Sequence, residues 1–382
     1  MSIVVEPVES REDRRRFVNF PRRLYRDNPF WVPPLRSEID SLLDTTKNPF
    51  HEHADVQLFL AHNDGRVIGR IAGCENRLYN EYHSERTAVF GLFEVESNYE
   101  YAVAMLETVS DWARKRGLEL LRGPMSFSTN EECGLLTEGF DSPPCVLMPY
   151  NPPYYEEFLQ RFGFSAVKDL LAFVIERQKI PERLNQGAEM VMKRTNARVR
   201  CADLKNFDKE IPLLHQLYRE GWGENWGFSP MTPEEFQWRA ERMKMLADPD
   251  LVPILEVDDE PIGFAVVIPD INRALLRTRN WPDLARLGWL AARLRFIKNV
   301  RVLMLGLRKD YRRLGLDTVL YWHVFKTSID KGLQSAELSW VLDNNDPLLN
   351  AFRYLNAEQS KVYRLYDRPL QDPPTSDKEQ NS

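Results

Sequence analysis

The feature that most limits how this chain of 382 residues can fold is an internal repeat at an offset of 194. Residues 56–74 read as strand, turn, strand, with Asn63-Asp64-Gly65 at the turn. Residues 251–268 repeat the scheme with Asp258-Asp259 followed by Pro261-Ile262-Gly263-Phe264, so that Gly69 and Gly263 correspond. Asn151-Pro152-Pro153 opens a short amphipathic helix that ends in Phe162-Gly163-Phe164 and feeds a β-like run at 167–175. Asn345-Asp346-Pro347 opens its equivalent, ending in Leu355-Asn356-Ala357 before a β-like run at 361–366. Between these markers each half carries a helix, a glycine stop and a strand: 101–116, Gly117 and 118–122 in the first, 316–331, Gly332 and 334–341 in the second. A chain repeating helix and strand in this way is expected to form two homologous α/β domains (α+β mixed). The expected boundaries are 1–177 for the first domain, 178–195 for a linker, 196–370 for the second domain and 371–382 for a disordered tail without apolar periodicity.

Composition narrows the class. Hydrophobic residues are 43% and charged residues 28%, the balance of a soluble globular protein. A net charge of −6 argues against a nucleic-acid footprint spread over the whole molecule. Cys74, Cys133, Cys145 and Cys201 form no C-x-x-C pair and read as free thiols in a reducing compartment, which points to the cytoplasm. No run of 18 apolar residues occurs, and residues 1–20 lack the apolar core of a leader peptide. Against the acidic average, residues 271–301 hold eight basic residues and one acid, Asp283, interleaved with Leu284, Leu287, Trp289, Leu290, Leu294, Phe296 and Ile297. This is the composition of a basic amphipathic helix that can lie on an anionic membrane surface; a phosphate-attracting patch and a plain packed helix have the same composition.

The most specific chemistry lies in the second half. A buried strand, Arg301 to Leu307, runs into Tyr311-Arg312-Arg313-Leu314-Gly315-Leu316-Asp317-Thr318, which opens a helix. Such a loop aims consecutive backbone N–H groups and the positive end of a helix dipole at one point, where a pyrophosphate can sit. Here the sequence resembles the GNAT superfamily of acyl-CoA-dependent N-acyltransferases, whose signature [QR]-x-x-G-x-[GA] is matched by Arg312 and Gly315, with Asp317 in place of the third small residue. The block from Glu337 through Asn345-Asp346-Pro347 is similar to the superfamily's second conserved region. The phrases Phe30-Trp31-Val32-Pro33-Pro34-Leu35 and Asn225-Trp226-Gly227-Phe228-Ser229-Pro230 look like hallmarks of a bacterial family of tandem GNAT-like proteins, relatives of which are associated with bacterial ceramide synthesis.

The resemblance implies two tandem GNAT-like domains, each a mixed, mainly antiparallel sheet flanked by helices. It also implies acyl-CoA as co-substrate and transfer of an acetyl or fatty acyl group to a primary amine, either small or lipid-borne, without a metal. The non-catalytic alternative is a CoA-binding or regulatory protein on the same fold. Residues implied to hold CoA are Leu305, Leu307, Arg312, Arg313, Leu314, Gly315, Leu316, Asp317, Thr318 and Asn345, with the backbone of Leu305–Leu307 as oxyanion donor. In the first half, Ser97-Asn98-Tyr99-Glu100 stands where that loop should be, and Glu94, Glu96 and Glu100 surround it without a nearby basic residue in sequence, so that half is expected to bind no CoA.

For the chemistry, Glu224 in the aromatic loop 221–226 and Glu337 in mid-strand are candidate bases. Tyr354 is an uncertain candidate acid, because the position where the family carries tyrosine holds Phe352. Trp222, Trp226, Phe228, Asp270 and Asn272 are the candidates for the acceptor side.

Overall fold

The computed structural model describes residues 3–370, and the expected tail, 371–382, lies outside them. The first half supplies β1 (Ile3–Pro7), β2 (Ala54–Asn63), β3 (Arg66–Asn76), β4 (Thr87–Val95), β5 (Leu120–Gly123), β6 (Leu135–Glu138) and β7 (Ser165–Glu176). The second supplies β8 (Ala197–Cys201), β9 (Pro253–Val257), β10 (Glu260–Pro269), β11 (Asn299–Leu307), β12 (Ser335–Leu342) and β13 (Glu358–Pro369). Each repeated motif of the sequence becomes the same element twice. Asp64 and Gly65 turn β2 into β3 at positive φ, as Asp258 and Asp259 turn β9 into β10, and Gly117 and Gly332 end their helices at φ +71° and +67°.

These strands form one continuous sheet in the order β1-β2-β3-β4-β5-β13-β7-β12-β11-β10-β9-β8, with β6 pairing on β13. Read from its two ends, the order is the same list, one half mirroring the other. The exception to sequential order sits at the centre, where the last strands of the halves are exchanged. β13 pairs with β5 of the first half and β7 pairs with β12 of the second, while β7 and β13 run antiparallel to each other from Glu358↔Val174 to Asp367↔Ser165. At the middle of this pair Arg364 forks onto Asp169 at 2.6 and 2.9 Å, a bidentate contact across the two halves. The core is shared as well: one cluster joins Phe17, Leu60 and Met148 to Ile268, Leu290 and Tyr363.

The segment between the halves is helical rather than extended. Residues 182–195, taken as linker, form the helix Glu182–Thr195. Leu184, Ala188, Val191 and Met192 fall on one helical face and pack on the second half, and Asn185 accepts a hydrogen bond from Trp322 Nε1 at 2.8 Å.

Because β13 fills the gap between β5 and β7, ending the chain after Ala357 is expected to remove cooperative melting from both halves, followed by circular dichroism. A synthetic peptide of residues 358–370 is expected to restore it. A truncated chain whose first half still melts as a unit would contradict the strand exchange as the source of stability.

Candidate functional site

In the second half, β11 and β12 are parallel neighbours only from Asn299↔Ser335 to Val302↔Leu338. Beyond that point β11 continues along β10 to Leu307↔Gly263 and β12 continues along β7 to Leu342↔Leu170. A bulge at Leu303, which has no partner between Val302↔Val267 and Met304↔Val266, bends β11 away at the point of divergence. The wedge so opened is a cavity of about 820 Å³, walled by Leu303–Leu307, by Leu338, Trp340 and Val341, and by Leu348 and Phe352. The main chain of Leu303–Leu307 on this side pairs with no strand, so Leu305 and Leu307 present backbone to the cavity.

At the mouth of the wedge lies the loop 308–316. Arg313 and Gly315 take positive φ, +64° and +78°, which turns the chain sharply before the helix Asp317–Asp330. Among the described residues, none of the N–H groups of residues 313–316 donates to an acceptor within the chain. Four free donors at the start of a helix suit a pyrophosphate, and acyl-CoA therefore fits the residues present. Arg312 and Arg313 both line the cavity but differ in function. Arg312 donates to Leu307 O at 3.3 Å and to Gly221 O, fastening the loop to β11, whereas Arg313 has no ion pair among the described residues. Leu314 is exposed at the apex, Leu316 is buried beneath it, and Thr318 turns toward Gly187 of the neighbouring helix. Asp317 does not cap the helix, since Leu316 holds that position. It is the first helical residue, where the dipole favours a carboxylate, and it faces Tyr321, whose hydroxyl is pushed up by burial and then by Asp317. Asn345 lines the cavity but spends its side-chain oxygen on Leu348 N, 3.4 Å away, as a helix cap.

Several candidate residues stand elsewhere. Glu224, expected to be raised by apolar walls, is exposed on the rim and paired with Lys309 at 2.5 Å, which holds its carboxyl below the usual range. Glu337 lies on the far face of the sheet from the cavity. It accepts from Ser339 at 2.7 Å opposite Arg301 and is pushed up by burial, with Arg301 opposing the shift. Tyr354 is 44% exposed at the end of its helix, two residues past Phe352, which packs edge-on against Phe173. Asp270 accepts from Val146 N at 3.1 Å and Asn272 donates to Pro144 O and Cys145 O, pinning the segment 144–146, and Asn272 borders the second cavity described below rather than this one. Trp222, Trp226 and Phe228 do line the cavity.

The first half also contributes cavity residues that are missing from the expected set. Asn130 and Glu131 reach into the wedge, where Arg239 donates to the Glu131 carboxylate and to Asn130 O. Tyr218 donates to Asn130 Oδ1 at 2.9 Å, and Thr129 donates to Gly227 O at 2.8 Å. The phrase Asn225–Pro230 thus serves as the clasp on which the first half is held against the cavity of the second. The only sequence signal for these residues is the paired acid Glu131-Glu132 in the long loop after β5.

The corresponding wedge of the first half is filled. Tyr154 and Tyr155 stand where the second half has Leu348 and Leu349. Tyr154 donates to Val95 O at 2.7 Å and Tyr155 accepts from Val95 N at 2.7 Å, closing the strand end that is open in β11. At Gly91 a Cβ would lie 1.8 Å from Met125 O, so the backbones meet without a gap. The acids expected to repel phosphate are also otherwise engaged: Tyr25 and Tyr155 donate to Glu94 at 2.6 and 3.0 Å, and Arg66 forks onto Glu96 at 2.6 and 2.7 Å.

Beside this closed wedge is a second cavity of about 400 Å³, bordered by Trp31, Tyr150 and Leu275, with Glu38, Glu94 and Glu132 along its wall. Leu147 borders both cavities, and the consecutive acids Glu131 and Glu132 face one each. Burial pushes Glu94 up to about 7 against the opposing effects of Arg70, Tyr25 and Tyr155.

Comparison with known proteins places these features. A model of the Acetyltransferase (GNAT) family matches residues 211–356. Protein YghO of Escherichia coli (strain K12) is 31% identical over 369 residues, covering 94% of each chain. Bacterial ceramide synthase of Caulobacter vibrioides (strain NA1000 / CB15N) is 32% identical over 376 residues, covering 96% of this chain and 97% of that one. Among solved structures, a tandem GNAT protein from the clavulanic acid biosynthesis pathway superposes with a TM-score of 0.56 at 10% identity, covering 97% of this chain and 100% of that one. A GCN5-related N-acetyltransferase from Sphaerobacter thermophilus superposes at 0.53 with 12% identity, over 97% and 96% of the two chains. At these identities the structural likeness is one of fold.

Two outcomes are expected. Leu348→Tyr, copying Tyr154 of the closed wedge, is expected to weaken CoA binding about tenfold or more without lowering Tm, as read by calorimetry and thermal melting. Because the folded state keeps a proton on Glu94 that the unfolded state releases, its stabilising contribution is present below the ordinary carboxylate range and lost as pH rises through about 7. Tm of the wild type is therefore expected to fall more between pH 5 and 8, roughly the interval spanning that titration, than Tm of Glu94→Gln.

Proposed function

The chain belongs to the GNAT acetyltransferase family, and on that premise we propose that it is an acyl-CoA-dependent N-acyltransferase whose acceptor is a primary amine on a lipid. Family and fold together support acyl transfer. The observation that carries the reading is the open wedge between β11 and β12, with unpaired strand backbone on one side and the free N–H groups of residues 313–316 at its mouth.

Acyl-CoA supplies the activated acyl group. In this reading the loop N–H groups and Arg313 bind its phosphates, and backbone N–H groups of Leu303–Leu307 meet the oxygen of the thioester carbonyl. The transfer forms a bond from the amine nitrogen to the acyl carbon, breaks the C–S bond and moves one proton from the amine to the thiolate. With Phe352 and Tyr354 offering no hydroxyl to the cavity, water carries that proton. We assign Glu131, fixed by Arg239, to hold the incoming amine. A lipid acceptor is supported by the predominantly apolar lining of the first cavity and by a relative named for ceramide synthesis. The protein then works from the cytoplasm, peripheral to the inner face of the membrane, with residues 271–301 as the contact. The missing hydroxyl at Phe352 favours the second reading, a non-catalytic CoA-binding protein, and turnover separates the two.

Calorimetric titration is expected to show CoA binding that Arg313→Glu weakens about tenfold or more, since a carboxylate replaces a cation beside phosphate. No binding at millimolar CoA would end this reading. Glu131→Gln is expected to raise KM for the amine with an unchanged Kd for CoA. Binding without turnover on any amine would favour the non-catalytic alternative.

A further inference from the structure

The segment between β10 and β11 contains a helix built inside out. Asp283–Arg293 turns Arg286 inward, where it is fully buried, and turns Leu284, 84% exposed, and Leu287, 39% exposed, toward solvent. Ala285, Gly288, Ala291 and Ala292 complete an outer face that is almost wholly apolar, extended by Trp281 and Phe296 at 45% and 56% exposure. In a helix that merely covers a core these orientations are reversed.

The inversion is held in place by the other half of the protein. Asp283 accepts from Arg22 Nη2 at 2.8 Å, from Arg36 N at 3.0 Å and from Arg286 Nη1 at 3.0 Å, while Arg286 also donates to Pro33 O and Pro34 O of the phrase Phe30–Leu35. Burying an arginine is costly unless its donors are met, and here backbone carbonyls and one carboxylate meet both Nη groups, leaving Nε as the one donor without a partner. The apolar face is therefore fixed outward.

A collar of one sign surrounds that face. Of the eight basic residues in 271–301, Arg286 and Arg301 are buried and exposed Arg273 is paired with Asp270 at 3.4 Å, so the surface charge is smaller than composition implies, but Arg277, Arg293, Arg295 and Lys298 are exposed without an ion pair among the described residues. Arg293 stacks over Trp289 at 4.6 Å and Arg295 over Phe296 at 4.7 Å, pairing cation and aromatic as at a membrane interface. Among the described residues no helix is long and apolar enough to cross a membrane, and an eleven-residue helix can only lie in the plane of a bilayer surface. A second copy is the weaker partner, because a symmetric contact would press the two basic collars together. The same segment supplies Trp281, Pro282 and Asp283 to the border of the second cavity.

We propose that the outward face of the helix Asp283–Arg293 seats the protein on an anionic lipid bilayer and brings the second cavity to that surface as the way in for the acceptor. The seating stands on the surface alone, and the route rests on the acyltransferase reading. The leucines and tryptophan occupy the acyl boundary, the four unpaired exposed cations meet anionic headgroups, and an amine with a long chain passes from the bilayer along Trp281 and Leu275 toward Glu132, one residue from Glu131 of the donor cavity.

The test is flotation of the full-length protein with vesicles of phosphatidylcholine alone, or of phosphatidylcholine with phosphatidylglycerol at roughly three to one. Binding to the anionic vesicles is expected, with a drop of about tenfold or more for Leu284→Ser/Leu287→Ser and for Arg293→Glu/Arg295→Glu. Thermal melting of each variant reports whether the fold is kept. A wild type that stays with the soluble fraction, or a folded double-serine variant that floats equally well, overturns the seating. So does light scattering that shows a dimer dissolved by the serine substitutions without vesicle binding. Turnover of a short soluble amine and of a long-chain amine embedded in the same vesicles tests the route: the serine variant is expected to lose only the second. Equal loss of both overturns the route, and absence of turnover on either amine with flotation intact overturns the acyltransferase reading while leaving the seating.

Discussion

The antiparallel pairing of β7 with β13 is the interaction on which the rest of the molecule depends. Each strand ends one copy of the repeat, yet each completes the sheet of the other copy, so neither half can close its sheet alone. Without the exchange β5 and β12 would be open edges, each already committed on its other side to a parallel neighbour. The exchange converts two domains into one continuous sheet and forces the two wedges, one beside β5 and one beside β12, to lie on either side of a common centre.

That arrangement permits a division of labour. Both halves retain the bulge that splays the parallel pair, at Leu92 with φ +47° in the first and at Leu303 in the second. In the first half the opening is sealed by the hydroxyls of Tyr154 and Tyr155 and by the close approach of Gly91 to Met125. In the second, leucines at the same repeat positions leave it open. The sealed half contributes in other ways: it sends Asn130 and Glu131 into its partner's cavity, and Pro33, Pro34 and Arg22 hold the inverted helix. The two sequence phrases that resembled family hallmarks are where the halves grip one another, at Arg286 and at the 227–231 loop.

Much of the architecture was legible because turns, caps and glycine stops act locally. The Asp-Gly and Asp-Asp turns, the Asn-x-Pro helix starts and the two glycine ends appear where the residues demand them. The loop 308–316 was legible for the same reason, since a turn of backbone joined to a helix start is written in neighbouring residues. The acids were not. Glu224 looked enclosed because its sequence neighbours are aromatic, but it sits on a rim beside Lys309, a residue distant in sequence. Glu337 looked available in mid-strand, but strand alternation turns it away from the cavity toward Arg301. The helical form of residues 182–195 was not legible because its apolar face has meaning only against the helix Asp317–Asp330.

The sequence by itself determined the repeat, the turns and glycine stops that bound most of its elements, and the family. Each of these is written in residues that are neighbours along the chain, or at a fixed offset from one another. Only the tertiary structure decided that the terminal strands are exchanged, that Glu131 of one half faces the cavity of the other, and that a basic segment points its leucines outward and an arginine inward. The physical reason is the same in each case: pairing across a sheet, burial and charge compensation depend on partners brought together from far along the chain, and no local pattern encodes which partner arrives.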